Sequence, residues 1–274
     1  MAMTEHARGE ADPVQVVADV GNSRIKLAVV TATDRGLPRI EQRHDLESHS
    51  FACDELEGWL MTAAPADVMV SIASVYDAAA ARLEAAIAGV SATRHRPVHQ
   101  RRVRFADLPI VVDLAEPERV GIDRLAAAAA ACQLKVASRG CVVIDCGTAA
   151  SVDVVSADGR FLGGAILPGP ALMARSLADG TSLLPEVAAL GEAATPAMPG
   201  RATNEAIAAG IGFGIRGGVA RLVAEARRSV GEDAEVFLTG GWRAAVHGEL
   251  VGAVELPDLV LAGIALAAVR PATG

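Results

Sequence analysis

Two segments far apart in the chain carry one pattern: "VVADVGNSRIKLAVV" at 16–30 and "VVIDCGTAASVDVV" at 142–155. Each reads as an apolar strand, an aspartate, any residue, a glycine, Asn or Thr, and then a second strand. Asp19 thus matches Asp145, Gly21 matches Gly147, and Asn22 matches Thr148. A single copy is explained by a hairpin with a polar turn. Two copies in matching places describe a duplicated structural unit, which is not a short solenoid repeat. Two β-β-β-α-β-α units facing each other would leave a cleft with the two turns opposed across it, and such clefts are a favoured place for ligands.

The remaining pattern fits that frame. After the first pair of strands come a third strand-like run, "PRIEQRHD", a helix over 52–63, a buried strand over 67–74 and an amphipathic helix over 77–89. The pattern restarts after the helix-forming run "LAAAAAACQL", whose low bulk predicts close packing against another element. Strands at "CVVIDCG", "ASVDVVSA" and "RFLGGAI" follow, then helices over 169–179 and 203–229, a strand over 234–241, and helices around 242–249 and 258–269. The expected division is a disordered extension at 1–13, a first half at 14–115 and a second half at 116–274. With 51% hydrophobic but only 3% aromatic residues, the core must be built from Ala, Val, Leu and Ile.

Bulk features narrow the function classes. The apolar run at 259–269 is too short to span a bilayer, and the polar start is unlike a signal peptide. Four cysteines without CxxC or zinc-like spacing suggest reduced thiols. A formal net charge of −8 argues against a general nucleic-acid binder. The expectation is a cytoplasmic protein with no membrane and no nucleic-acid partner. The basic stretch from Arg94 to Arg104 reads as a solvated edge that blunts strand pairing.

The chemistry sits in the turns. Glycine lets the backbone approach a ligand and leaves N–H groups pointing outward, which makes an anion cradle. Asn22, Ser23 and Thr148 add neutral donors, and Lys26 adds a point charge suited to phosphate. Asp19 and Asp145 would repel phosphate directly, but make sense if a cation lies between. A third element, "LTGGWRAAV" at 238–246, ends a strand in glycines that let backbone lie flat against a base or ribose. Two phosphate motifs and one adenosine motif resemble the actin, sugar kinase and Hsp70 superfamily.

"VGIDRL" at 120–125 sets Asp123 and Arg124 at a helix start, where a carboxylate is electrostatically favoured. A capping aspartate beside a solvated arginine explains the pair in isolation. At the mouth of the cleft, Asp123 offers a base for a substrate hydroxyl and Arg124 a bidentate grip on a carboxylate. "GGAILPGPALMARSL" at 163–177 is read equally as architecture or substrate lining. Thr203 reads as a helix N-cap with Glu205 near it. The glycine-dense helix with Gly210, Gly212, Gly214, Gly217 and Gly218 implies tight helix packing or a dimer seam.

Taken in order, "DVGNSRIK", "SIASV", "GIDR", "VIDCGTAASVDVV", "GGAILPG", "ATNEAIAAG" and "LTGG" resemble type III pantothenate kinase, from about residue 14 to 270. The resemblance implies an α/β fold of duplicated ribonuclease-H-like (actin-like ATPase) domains, each a mixed β-sheet flanked by helices, with an inter-domain cleft. It implies ATP-dependent phosphorylation of pantothenate to 4′-phosphopantothenate, the first step of coenzyme A biosynthesis. Asp19, Val20, Gly21, Asn22, Ser23, Arg24, Ile25 and Lys26 would form the ATP phosphate loop, with Thr148 also contacting ATP. Gly121, Ile122, Asp123, Arg124 and Thr203 would bind pantothenate, Asp123 as base and Arg124 near its carboxylate. Asp145 would ligate a monovalent cation, potassium or ammonium, and Asp19 would hold Mg²⁺ through water. A homodimer is implied, its partner helping to build the substrate pocket. Where the family carries a tyrosine three residues before the proline of its lead-in, this chain has Leu114, and Val120 replaces a leucine. The alternatives are a kinase of another small hydroxy acid, or a non-catalytic nucleotide-binding regulator.

Overall fold

The computed structural model describes residues 12–34, 36–64, 67–93, 97–188 and 196–269. Most of the expected extension at 1–13, and Arg94 and Arg96 of the basic stretch, lie outside those residues. The first sheet forms from β1 (Val14–Val20), β2 (Arg24–Thr31) and β3 (Arg39–Glu47), followed by α1 (Cys53–Ala63), β4 (Val68–Ser74), α2 (Asp77–Thr93) and β5 (Val98–Arg102). Its strand order is β3-β2-β1-β4-β5, with β1, β2 and β3 antiparallel and β4 and β5 parallel to β1.

The second sheet opens with the short β6 (Val111–Val112), and α3 (Ile122–Leu134) then crosses to β7 (Cys141–Cys146), β8 (Ala149–Val155) and β9 (Arg160–Pro168). After α4 (Pro170–Gly180) and α5 (Thr203–Val230) come β10 (Glu235–Gly240), α6 (Ala244–His247), β11 (Val254–Glu255) and α7 (Leu259–Ala268). The order β11-β10-β7-β8-β9-β6 repeats the first sheet's order, with β6 added at the edge. The duplication seen in the sequence is therefore a duplication of topology. The expected boundary at 115/116 falls between β6, which pairs with β9, and α3.

Strand alternation decides which side chains meet. Along β1, Val17 faces a core shared by both sheets, while Val16, Ala18 and Val20 pack under α1 and α2. Along β7, Cys141 and Val143 face the shared core, while Val142, Ile144 and Cys146 pack beneath α5. Asp19 and Asp145 share the parity of Val17 and Val143. Each is the last inward-facing residue of its strand, at the end where the shared core gives way to the cleft.

Between the sheets lie α3 and α7. Ala126 through Ala131 are all buried, and a Cβ on Gly263 of α7 would collide with the carbonyl oxygen of Ala126. The low bulk expected of the alanine run is what brings the two helices into contact. Although it follows the second sheet in sequence, α7 packs mainly on α3 and β1. Arg43 of β3 donates to Asp258 Oδ1 at 2.6 Å at its start, and Arg101 Nη2 donates to the Ala267 carbonyl at 2.7 Å near its end.

Two expectations need correcting, and the either-or reading of the glycine-dense helix is narrowed. The segment around Arg101 and Arg102 is not merely solvated: it is β5, with Arg101 Nε donating to Ser71 Oγ at 3.2 Å and Arg102 paired with Glu84 at 2.6 Å. Thr203 is the first residue of α5 rather than its cap; Ala202 holds the cap position, and the Arg201 N–H donates to Glu205 Oε2 at 2.7 Å. Within the chain, the glycine-dense helix is not tightly packed along its whole length, because a Cβ on Gly210, Gly214 or Gly217 would meet open space. By length and composition α5 could cross a membrane, but Ile215, Val219 and Val223 are buried against the second sheet.

Candidate active site

Each turn closes with a backbone hydrogen bond, Gly21 N–H to Arg24 O at 3.0 Å and Gly147 N–H to Ala149 O at 3.1 Å. The first is one residue longer. Asp19 consequently faces Lys26 across its hairpin, whereas Asp145 faces Ser151. The duplicated turns thus differ in charge, and the lysine belongs to one of them only.

Neighbouring side chains and backbone hold both turns. Ser48, fully buried, donates through Oγ to Gly21 O at 2.7 Å and through its N–H to Ser23 O at 3.1 Å. The second turn accepts from Trp242 Nε1–H at Gly147 O (2.6 Å) and from the Gly169 N–H at Thr148 O (3.1 Å). A Cβ on Gly169 would come within 2.6 Å of that Thr148 oxygen. Gly240, at φ +92°, presses against the Cys146 backbone, so the proposed adenosine motif packs directly on the second turn. The two turns meet where Ser23 Oγ lies 2.8 Å from Thr148 Oγ1, residues in the turns of different sheets.

The resulting cleft measures about 490 Å³. Asp19, Gly21, Asn22, Ser23, Arg24 and Lys26 line one wall, Asp145 and Thr148 another, and Gly121, Asp123 and Arg124 the mouth of α3. Val20, Ile25 and Ile122 are buried beneath it. Thr203 is elsewhere: it lines a separate, largely apolar groove with Leu177, Ile207 and Ile211, between α4 and α5. Leu114 does not line the cleft, and sits against Gly163 of β9.

Three carboxylates share this space with one lysine. Burial pushes Asp19 up to about 7, opposed by Lys26, whose Nζ is 3.9 Å from Oδ2, and assisted by the charges of Asp123 and Asp145. Burial likewise raises Asp145 to about 6. Asp123 is raised by burial too, against the Arg124 N–H that donates to its Oδ1 at 2.8 Å. Charges crowded in this way favour a cation with oxygen ligands. Among the described residues no three acidic, histidine or cysteine side chains converge tightly enough to cage a metal ion. The arrangement therefore suits a cation that brings other oxygen ligands, as phosphate and water would.

Arg124 is held from beneath. Its Nε–H donates to Asp153 Oδ1 at 2.9 Å, and Phe161 lies 5.5 Å below the guanidinium carbon. Asp153, Ser48, Trp242 and Arg119 all shape the cleft or its supports, and sequence reasoning singled out none of them. For Asp153 a signal was present: it stands two residues beyond Ser151, on the same face of β8 and therefore on the inward side.

A family model described as type III pantothenate kinase matches residues 15–225. Proteins named type III pantothenate kinase are similar along the chain. The one from Azotobacter vinelandii is 35% identical over 272 residues, covering 93% of this chain and 99% of its own length. That from Pseudomonas aeruginosa is 44% identical over 151 residues, covering 55% of this chain, and the match spans 60% of the Pseudomonas protein. Among solved structures, a Baf-family transcriptional activator from Campylobacter jejuni aligns with TM-score 0.56 at 18% identity, over 92% of this chain and 96% of its own. A 2-dehydro-3-deoxygalactonokinase from Sinorhizobium meliloti aligns with TM-score 0.54 at 19% identity, over 95% and 98%. These structures share the fold.

Proposed function

The chain belongs to the type III pantothenate kinase family, and from that premise we propose that it transfers the γ-phosphoryl group of ATP to the primary hydroxyl of pantothenate. The products are ADP and 4′-phosphopantothenate, in the first step of coenzyme A biosynthesis. The observation that carries this reading is the convergence of both turns, Lys26, Asp123 and Arg124 on one cleft.

In the proposed mechanism Arg124 anchors the pantothenate carboxylate and aims the far hydroxyl at the phosphate turns. Asp123 accepts the hydroxyl proton as the oxygen forms its bond to the γ-phosphorus, and the bond to the β-phosphate oxygen breaks. A carboxylate made more basic by burial suits that step. Lys26, Ser23, Thr148 and the turn amides hold the phosphates and stabilise the charge spreading over the transferring group. Mg²⁺ bound with the nucleotide would supply charge neutralisation, and Asp19 would be the residue that holds it. Asp145, which lacks a lysine opposite it, would hold a monovalent cation, potassium or ammonium.

We read the protein as a homodimer. The open face of α5, with Phe213 43% exposed beside Gly210, Gly214 and Gly217, supports this. Thr203, at the groove beside that face, would then reach substrate across the dimer. All four cysteines are free, which suits a reducing cytoplasm.

The test is ADP release from the purified protein with ATP and Mg²⁺, with and without pantothenate, in potassium and then in sodium. Pantothenate-dependent release that falls in sodium is the expected result. Release that ignores pantothenate but responds to another hydroxy acid would reassign the substrate.

A further inference from the structure

Arg124 reaches the cleft with its guanidinium already half engaged. Nε–H and an Nη2–H both donate to Asp153 Oδ1, and Asp153 Oδ2 accepts from Ser151 Oγ at 2.8 Å. The Asp153 side chain is 1% exposed and that of Arg124 18%. Nη1 has no hydrogen-bond partner among the described residues. Phe161 closes the face of the guanidinium that turns away from solvent.

A guanidinium presents five N–H groups in a fixed fork, with two edges that each match a carboxylate. Here the internal carboxylate takes the Nε edge, which leaves the Nη1–Nη2 end for an external one. The pairing also bears on selectivity. An unpaired arginine beside phosphate-binding turns attracts any anion, including the nucleotide itself. Paired with Asp153 it is locally neutral, so geometry rather than bulk charge decides what it binds.

We propose that Asp153, braced by Ser151, is the positioning residue that turns Arg124 into a selective carboxylate reader, by occupying one edge of the guanidinium and presenting the other to the cleft. The inference rests on the proposed role of Arg124 as carboxylate anchor. It adds a residue pair, Ser151–Asp153, of which Ser151 also lines the cleft and Asp153 lies beneath it, and which sets which acid is accepted.

The experiment compares kcat/KM for pantothenate with that for its neutral alcohol analogue, in which CH₂OH replaces the carboxylate. In Asp153→Asn, the loss for the acid should exceed the loss for the alcohol by about tenfold or more, as expected when the partner of a buried charge pair is altered. Most of that excess should appear in KM for the acid. Equal losses on both substrates would mean a purely structural role and overturn the proposal. If Asp153→Asn does not fold, Ser151→Ala supplies the test: about a two- to fivefold fall in acid-over-alcohol preference is expected from losing one brace, and an unchanged preference overturns the proposal. Arg124→Met separates the premise from the inference. If that variant keeps the wild-type preference, Arg124 is not the anchor, and both readings fall. If it loses the preference while Asp153→Asn keeps it, only the role of Asp153 falls.

Discussion

Lys26 faces Asp19 across the first hairpin with Nζ 3.9 Å from Oδ2, while at the equivalent place in the second hairpin Ser151 faces Asp145. One extra residue in the first turn produces this difference. It sets a lysine opposite the first aspartate and a neutral serine opposite the second, although the charge of Lys26 opposes the burial of both carboxylates.

Replacing that lysine tests the asymmetry. Lys26→Met should reduce turnover about 100-fold or more, on the scale seen when a single preorganised charge is removed from a transferring group. The dependence on monovalent cation should persist, because the Asp145 carboxylate is retained. Steady-state kinetics with a potassium titration would check both halves of the expectation.

Burial of the carboxylates gives a signed dependence on pH. Asp19 rises to about 7 and Asp145 to about 6, both above the ordinary value of 3.8. The folded protein therefore binds these protons more tightly than the unfolded chain does. The stabilisation is full below the unfolded value and is lost as pH rises through 6 and 7. Asp19→Asn removes the group that must ionise, so its melting temperature should exceed the wild-type value at pH 8 and not at pH 4. A gain of the same size at both pH values would show that Asp19 does not carry the effect. Activity follows the opposite course, since cation binding needs the carboxylates ionised; catalysis in the wild type should climb between pH 6 and 8.

Asp123→Asn keeps the shape of the side chain and removes its basicity. Turnover should fall by about 10²- to 10⁴-fold, the usual contribution of a positioned base. Affinity for ATP, measured by calorimetry, should change little, because the phosphate turns belong to other strands. Near-normal turnover would take the base assignment away from Asp123.

Gly263→Ala tests the packing beneath the site. The added methyl would meet the Ala126 carbonyl, so α3 and α7 must separate or bend. A loss of about 1–3 kcal/mol is expected from overpacking a core of this kind, read as a lower midpoint in urea. Asp123 lies one turn before Ala126 on the same helix, so kcat should drop even under conditions where the variant is folded.

Much of this was legible from the chain alone. Strand periodicity and the repeated Asp-x-Gly turns located both hairpins, because glycine and alternation leave local marks in sequence. Asp19 and Lys26 could be named for the same reason, whereas Asp123 and Arg124 were named from their place between the two halves and from the family resemblance. The clamp beneath Arg124 was only half legible: the spacing from Ser151 puts Asp153 on the inward face of β8, but its partner lies on a helix that tertiary packing brings over it. The polarity of β5 concealed a strand because Arg101 and Arg102 are satisfied by Ser71, Glu84 and the end of α7, contacts that propensity does not contain. Leu114 lies outside the cleft of a single chain, against Gly163 of β9.

The return of α7 to the first sheet has a consequence for how the protein is made. Strands β1 and β4 leave the ribosome before the second sheet, but the helix that covers their inner face is synthesised only after it. At 5–20 residues per second that interval lasts on the order of tens of seconds. Throughout it, Val17 and Ala73 present an uncovered apolar surface, and Arg101 waits for the carbonyl it will bind. Synthesis of α7, rather than of either sheet, thus marks the moment at which the chain can close the core that the two sheets share.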